Sequence, residues 1–203
     1  DSRAKIRVAV PPLEVQREIV GVLDLEAELE AELEAELEAE LEARRRQYKH
    51  YRGLLLAEAS DGATRVQLGA LGRVVTGRTP RSSEPLAWGG DLDFVTPSDI
   101  KNGMRLIAGT NRRLSEVGAA AMAKVRIPAQ SLLVTCIGAD MGKTVINAND
   151  CVPNQQINAI IPEVSFNLGY MFHVLTEMRQ RLRVQGEQGG GTAWAKTSKQ
   201  VGD

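Results

Sequence analysis

Apolar residues recur at helical spacing over the first quarter of the chain, from Leu13 to about Leu56. Pro11 and Pro12 suit the first turn of such a helix, and Asp61-Gly62 suits its end. Leu, Glu, Ala and Arg are strong helix formers, so the pattern predicts one helix of about 45 residues and about 70 Å. The positions that carry the period are Leu13, Ile19, Val20, Leu23, Leu25, Leu29, Leu33, Leu37, Leu41, Tyr48, Tyr51 and Leu55.

The centre of this helix is a tetrapeptide repeat, because residues 25–44 read LEAE four times and then LEAR. Each repeat advances its leucine by about 40° and about 6 Å, so the leucines wind across nearly half of the helix face. An exposed row of leucines is unfavourable in water, which predicts a partner helix. The predicted interface residues are Leu25, Leu29, Leu33, Leu37 and Leu41.

The end of the repeat indicates how the partner runs. Arg44, Arg45 and Arg46 would lie near acidic residues of an antiparallel partner, and they also favour the helix dipole. The sequence therefore predicts an antiparallel pair, with a solitary, solvated acidic helix as the alternative.

From Val66 onward the pattern changes to short β-type runs separated by turn residues. A second amphipathic helix is predicted from about Leu168 to Val184. The predicted fold class is α+β, a long N-terminal coiled-coil helix followed by a globular domain with a curved mixed sheet. The predicted strands are residues 73–77, 92–97, 124–128, 131–138, 143–148 and 157–162, and the predicted turns lie at 89–90, 102–103 and 148–150.

Charge divides the chain at the same place as the pattern. Residues 1–60 hold 9 Lys and Arg against 14 Asp and Glu, whereas residues 61–203 hold 16 against 12. A positive domain suits contact with an anionic polymer. The chain thus divides into an extended segment at 1–12, a helix at 13–60 and a globular domain at 61–203.

Composition excludes several protein classes. The sequence has no signal peptide and no run of about 18 apolar residues, which predicts a cytoplasmic location. Cys136 and Cys151 lack the paired spacing of a zinc site, and His50 and His173 lie far from them in sequence. No metal site is therefore predicted.

Two segments suggest catalysis. The run GADMGKT at 138–144 is one residue short of a phosphate-binding loop between its glycines, so it predicts a tight turn between strands. Asp91 or Asp93, followed by Asp99 and Lys101, resembles the carboxylates and lysine of a Mg²⁺-dependent nuclease. The same stretch also suits a turn or a helix cap, so a small nuclease stays an alternative.

The remaining polar residues of the loops suit contact with DNA. Arginine and asparagine recognise base edges, while lysine and hydroxyl groups bind phosphates. The predicted contacts are Arg78, Thr79, Arg81, Ser82, Lys101, Asn102, Arg105, Arg112, Arg113 and Lys143. Ser83 lies in the same loop as Arg78 and Ser82.

Three stretches of the domain, in order, resemble the target-recognition domain of type I restriction-modification specificity subunits. They are LGALGRVVTGRTPRSSEPLAWGGDLDFVTPSDIKNG, KVRIPAQSLLVTCIGADMGKTVI and NQQINAIIP. The helix, which opens VAVPPLEVQREIVGVLD and closes RRRQYKHYRGLLL, resembles the spacer helix of the same subunits. The chain is therefore identified as a specificity subunit, in half-length, fragment or rearranged form.

This resemblance implies a non-catalytic reader of DNA. Members carry two recognition domains held apart by two antiparallel helices, read a split site, and recruit a methylating subunit and a translocating nuclease subunit. S-adenosylmethionine, ATP and Mg²⁺ are expected on those partners and no cofactor on this chain. The number of tetrapeptide repeats sets the gap between the half-sites.

One helix and one recognition domain imply a homodimer. Two copies paired antiparallel would read a palindromic split site, with residues 1–12 of one copy beside the recognition domain of the other. A coiled-coil adaptor that binds protein and not DNA is the structural alternative.

Overall fold

The computed structural model describes residues 7–81, 84–138 and 140–189. The chain forms two compact units, Asp1–Glu58 and Ala59–Asp203. None of the helices in the described part of the chain is long and apolar enough to cross a membrane.

The first unit is built on one helix, α1, which spans Leu13–Ser60 and has 48 residues. At 1.5 Å per residue it is about 72 Å long, as the periodicity predicts. The helix has no buried residue, and the repeat leucines expose between 51% and 57% of their surface. Past its end Gly62 adopts a φ of +68°, a left-handed conformation that suits a glycine after a helix.

Among its described residues, the second unit contains eight strands and three α-helices. The strands are β1 Gly72–Thr76, β2 Trp88–Val95, β3 Leu106–Ile107, β4 Arg112–Leu114, β5 Leu132–Thr135, β6 Thr144–Asn147, β7 Cys151–Pro153 and β8 Ile157–Pro162. The helices are α2 Glu116–Ala121, α3 Leu168–Glu177 and α4 Arg179–Gly189. This confirms the α+β class.

The strands form two mixed sheets rather than one. The larger sheet has the order β1-β8-β5-β6-β3, in which β3 runs parallel to β6 and the other pairs are antiparallel. The smaller sheet has the order β4-β2-β7, with β2 parallel to β7 and antiparallel to β4.

Three apolar clusters hold the second unit together in layers. Val95 of the small sheet and Leu133 of the large sheet share the cluster between the two sheets. Leu132 and Leu175 share the cluster between the large sheet and α3. Phe94 and Leu114 belong to a third cluster on the outer face of the small sheet. Each sheet therefore buries apolar side chains on both faces, and its loops are placed by a packed core.

Several predicted boundaries are wrong. Residues 124–128 do not form a strand, because a 3-10 turn occupies Ala123–Val125 and only Ile127 makes a β-bridge, to Cys151. Pro128 cannot donate a backbone hydrogen bond, which limits pairing there. The helix predicted from Leu168 is divided at Met178 into α3 and α4. Strands β3, β4 and β7 are two or three residues long, too short to show a period.

Candidate nucleic-acid interface

The pairing of the large sheet brings four loops to one edge. Since β8 and β5 are antiparallel, as are β1 with β8 and β5 with β6, β1 and β5 end where β6 and β8 begin. Strand β3 runs parallel to β6 and begins there too. We name the loops that meet there the loop edge; its described residues are 77–81, 101–105, 136–138, 140–143 and 154–156. Seven of the ten predicted DNA contacts lie in the described residues of these loops. An eighth, Ser82, is one of the two undescribed positions after Arg81.

The loop after β1 is held against the turn between β7 and β8. A Cβ atom on Gly77 would lie 2.2 Å from the carbonyl oxygens of both Pro153 and Asn154, so only glycine fits. The Arg78 amide donates to Pro153 O at 2.9 Å, and the Gly77 amide donates to Ile157 O at 3.0 Å. The backbone is thereby fixed while the Arg78 side chain stays exposed.

Thr79 and Arg81 continue this loop. Thr79 is half-buried and its hydroxyl donates to Oε1 of Gln155, whereas Arg81 is exposed. The predicted contact Ser82 lies outside the described residues, as does Ser83.

Gln155 is a candidate contact that the loop prediction missed. Its neighbour Asn154 is buried, accepts from the Gln156 amide at 3.0 Å and donates through Nδ2 to Gln156 Oε1 at 3.1 Å. This capped turn presents Gln155 on the surface beside Arg78 and Thr79. A glutamine amide can pair with adenine. The paired glutamines before an apolar run were the available signal, but only folding places them next to the β1 loop.

Asp99 shapes the loop before β3. Its Oδ2 accepts from the Thr96 amide at 2.9 Å and the Thr96 hydroxyl at 2.6 Å, which closes a capping box. Its Oδ1 accepts from the backbone and side-chain amides of Asn111 at 3.1 and 2.8 Å. These four bonds support the capping interpretation of this residue.

The three predicted contacts in this loop are all exposed, and two of them touch the helical layer. Asn102 Oδ1 accepts from Arg179 Nη1 at 3.3 Å. The guanidinium of Arg105 lies over Gly169 in the first turn of α3, where a Cβ atom would be 2.6 Å from Arg105 Nη2. Lys101 completes the exposed set.

Lys143 lies in the turn between β5 and β6, and its side chain is only 12% exposed. Its ammonium lies 2.7 Å from Asp140 Oδ1 and donates to Ile100 O at 3.2 Å. It therefore ties two loops of the edge together. The predicted DNA contact of Lys143 stays a prediction, and it requires the ammonium to exchange these internal partners.

Gly138 and residues 140–144 form the tight turn between strands that the sequence predicts. Gly138 and Gly142 have φ of +82° and +79°, and the Gly142 amide donates to Thr135 O at 2.8 Å. The tight-turn prediction is confirmed.

Arg112 and Arg113 lie on β4, at the end of the small sheet that is next to the loop edge. At that end the Asn154 amide of the loop edge donates to Val95 O of β2. The guanidinium carbon of Arg112 lies 3.5 Å from the ring centroid of Trp88, which packs edge-on against Phe94. Such stacking holds an arginine in one orientation while its donors stay available. The side chain of Arg112 remains exposed.

Arg113 has a different environment from its neighbour. Its Nε lies 3.3 Å from Oδ1 of Asp93, whose side chain is only 9% exposed and which also accepts from the Thr110 hydroxyl at 3.2 Å. Adjacent strand positions point to opposite faces, so Arg112 covers the outer cluster while Arg113 neutralises a buried carboxylate.

Asp93 and Asp99, the carboxylates of the nuclease alternative, thus both have structural partners. No three His, Cys, Asp or Glu side chains cluster as metal ligands within the described ranges.

The profile of the "Type I restriction modification DNA specificity domain" matches residues 61–199, which hold the loop edge. The chain belongs to this family. It is 33% identical over 126 residues to the type I restriction enzyme HindI specificity subunit of Haemophilus influenzae, covering 62% of this chain and 27% of that protein.

Another relative of this specificity family also aligns with the helix. The EcoR124I/EcoR124II specificity subunit of Escherichia coli is 27% identical over 213 residues, covering 98% of this chain and 50% of that protein. A solved type I restriction-modification structure shares the fold, with a TM-score of 0.53 and 18% identity over 93% of this chain and 56% of that one. The chain thus spans half or less of the length of these curated relatives.

Proposed function

We propose that this chain is a DNA-recognition subunit of a type I restriction-modification system and reads one half of a bipartite site. The observation that carries the proposal is the loop edge, where the sheet topology gathers the exposed cations Arg78, Arg81, Lys101 and Arg105. Cations that bind phosphates and planar groups that reach base edges are the two parts of a DNA reader. Membership of the DNA specificity family supports it.

The proposed role is binding and not catalysis. Two copies pair antiparallel through α1, and the dimer recruits a methylating subunit that uses S-adenosylmethionine and a nuclease subunit that uses ATP and Mg²⁺. The half-exposed leucines of α1 support the pairing, since their burial stabilises association. The structural partners of Asp93 and Asp99 favour this role over the nuclease.

Salt-dependent DNA binding tests the recognition role. We expect affinity for duplex DNA to fall steeply as salt rises, because each phosphate contact releases counterions. Arg78→Gln should lower the affinity and reduce the salt slope by about 1 if the guanidinium binds a phosphate.

Arg73→Gln is the matched control, because Arg73 lies at the other end of β1, is exposed and pairs with Glu163 at 3.8 Å. It should leave the salt slope unchanged. Binding that is insensitive to salt would support the protein adaptor instead.

A methylation assay tests the role in the complex. With the cognate methylating subunit and S-adenosylmethionine, we expect modified adenines in two half-sites separated by a fixed gap. The chain alone with plasmid and Mg²⁺ should leave the DNA uncut. Cleavage by the pure chain would support the small nuclease.

A further inference from the structure

One face of α1 is apolar well beyond the repeat. At about 100° per residue, thirteen positions lie within about 40° of Leu37 around the helix axis. We call this face the seam. Ten of its positions are apolar, and the charged ones are Glu26, Glu30 and Arg44. Its members are Val15, Ile19, Leu23, Glu26, Glu30, Leu33, Leu37, Leu41, Arg44, Tyr48, Tyr51, Leu55 and Ala59, all exposed. Of the leucines predicted for the interface, Leu25 and Leu29 lie about 120° and about 80° from Leu37 and are therefore off the seam.

We propose that two copies of this chain pair antiparallel along the seam in one register, with Leu37 of each copy level with Leu37 of the other. The proposal rests on the homodimer of the proposed function and specifies how the copies meet. The register places apolar residues level with apolar residues outside the repeat as well as inside it. The matched positions are Leu33 with Leu41, Leu23 with Tyr51, Ile19 with Leu55 and Val15 with Ala59.

The charged seam residues are complementary in the same register. Glu30 of one copy lies level with Arg44 of the other, and the two-fold axis generates this ion pair twice. Arg44 now pairs with Glu40 of its own helix at 3.4 Å, with both side chains more than 60% exposed. An exposed pair of this kind contributes little, so Arg44 can exchange Glu40 for a covered partner. Glu26 lies level with Tyr48, whose hydroxyl can donate to a carboxylate.

The repeat alone cannot select this register. Sliding one copy by four residues, one repeat, brings Leu33 level with Leu37 and so restores contact between leucines. It keeps an ion pair, because Glu26 comes level with Arg44, but it also brings Glu30 level with Glu40 and Leu23 level with Gln47. The opposite slide brings Leu33 level with Arg45 and Tyr51 level with Ala27. These like-charged and mismatched contacts of the slid registers favour the alignment on Leu37.

Overlap of the helices favours the same alignment. With Leu37 on the two-fold axis, Glu14 of one copy lies level with Ser60 of the other. Nearly the whole of α1, Leu13–Ser60, is then paired. The slide that brings Leu33 level with Arg45 leaves Leu13 and Val15 without a partner in water, which is unfavourable.

Cysteine cross-linking of the full chain tests the register. Leu37→Cys should form a disulfide between two copies under mild oxidation, because the two thiols meet at the axis. Leu33→Cys or Leu41→Cys alone should not, since each residue would lie about 12 Å along the axis from its equivalent. A mixture of Leu33→Cys and Leu41→Cys should give the mixed disulfide.

The two native cysteines should not interfere with this cross-linking assay. Cys136 and Cys151 are buried, at 5% and 1% exposure. Burial, reinforced by the nearby Asp93 carboxylate, raises the pKa of Cys151 to about 12, so its thiol stays protonated and unreactive at neutral pH.

Charge reversal gives a second test that introduces no thiol. Glu30→Arg should raise the dimer dissociation constant about tenfold, because it sets Arg level with Arg in both symmetric pairs. Adding Arg44→Glu should recover most of the loss by reversing the pair. Glu32→Arg is the matched control, since Glu32 is equally exposed but lies off the seam, and it should change dimerisation little.

The outcomes separate this proposal from the proposed function. A chain that stays monomeric at micromolar concentration overturns both the homodimer and its register. A dimer that cross-links Leu33→Cys or Leu41→Cys to itself, or in which Arg44→Glu fails to rescue Glu30→Arg, overturns the register alone.

Discussion

At the scale of single residues, Arg112 and Arg113 show how one strand gives two identical side chains different environments. Arg112 stacks on Trp88 and stays exposed, while Arg113 faces the buried carboxylate of Asp93. A stacked arginine keeps its donors for a ligand, whereas an arginine opposite a buried carboxylate stabilises the fold. Substitution of Arg112 should therefore affect DNA binding, and substitution of Arg113 should affect stability.

We expect Arg112→Gln to weaken DNA binding and to relax specificity at one base by about 1 to 3 kcal/mol if Arg112 reads a guanine. Its cost in stability should be about 1 kcal/mol, the scale of a cation–π contact. Arg113→Gln should instead lower the free energy of unfolding by about 1 to 3 kcal/mol, because Asp93 loses its cation. Fluorescence anisotropy and urea denaturation separate the two effects. Equal effects of both substitutions on DNA affinity would contradict the assignment.

The hydrogen bonds of Asp150 make the stability of the fold depend on pH. The Ala129 amide donates to its Oδ1 at 3.0 Å and Arg126 Nη2 donates to its Oδ2 at 2.8 Å. The backbone bond, followed by the hydrogen bond and the charge of Arg126, lowers the pKa of Asp150 despite the opposing effect of burial. Because the folded-state pKa lies below the unfolded value, this stabilisation is present above the unfolded pKa. It is lost as pH falls through the folded pKa.

We expect Asp150→Asn to be less stable than the parent at pH 7 and the difference to shrink toward zero in acid. Urea denaturation at a series of pH values from neutral into the acid range measures it. Asp91→Asn is the control, since Asp91 is exposed, and its difference from the parent should be small throughout. A difference for Asp150→Asn that stays constant with pH would contradict the assigned pKa shift.

At the scale of elements, the loop edge depends on one close approach between backbones. Gly77→Ala would place a methyl group against Pro153 O and Asn154 O, so the β1 loop must separate from the turn at Gln155. We expect lower stability and a loss of DNA affinity larger than that of Arg78→Gln, because Arg78, Thr79 and Gln155 move together.

Gly21→Ala provides the control for Gly77→Ala. A Cβ atom at Gly21, within α1, meets nothing within 4 Å, and alanine favours a helix. DNA affinity should stay unchanged in this variant. Unchanged affinity for Gly77→Ala would mean that the close approach does not position the interface.

At the scale of the whole molecule, the helix length sets what the proposed dimer can read. Deleting residues 29–32 removes one repeat, about 6 Å of helix. We expect a functional dimer to methylate sites whose gap is shorter by one or two base pairs, at about 3.4 Å per base pair. Mapping modified adenines measures this. Glu32→Gln with Glu36→Gln keeps the length and should keep the gap, and an unchanged gap after the deletion would contradict the role of α1 as a spacer.

The elements whose signals are local and repeated follow from the amino-acid sequence alone. The helix of α1, the longer strands, the turn at 138–144 and the family resemblance all follow from spacing within one stretch of chain. Periodicity reports which face of an element is apolar, and it needs several turns or alternations to be read. Strands of two or three residues, such as β3 and β4, offer none.

Which polar residues act together depends instead on how the two sheets fold and pack. Pairing across two mixed sheets brings Gln155 to Thr79 and gives the cations Arg112 and Lys143 different partners. These contacts join residues far apart in sequence, and they depend on strand order and register, which local spacing does not encode. The composition of the loops predicts which chemical groups are present, and the packed sheets determine where those groups lie.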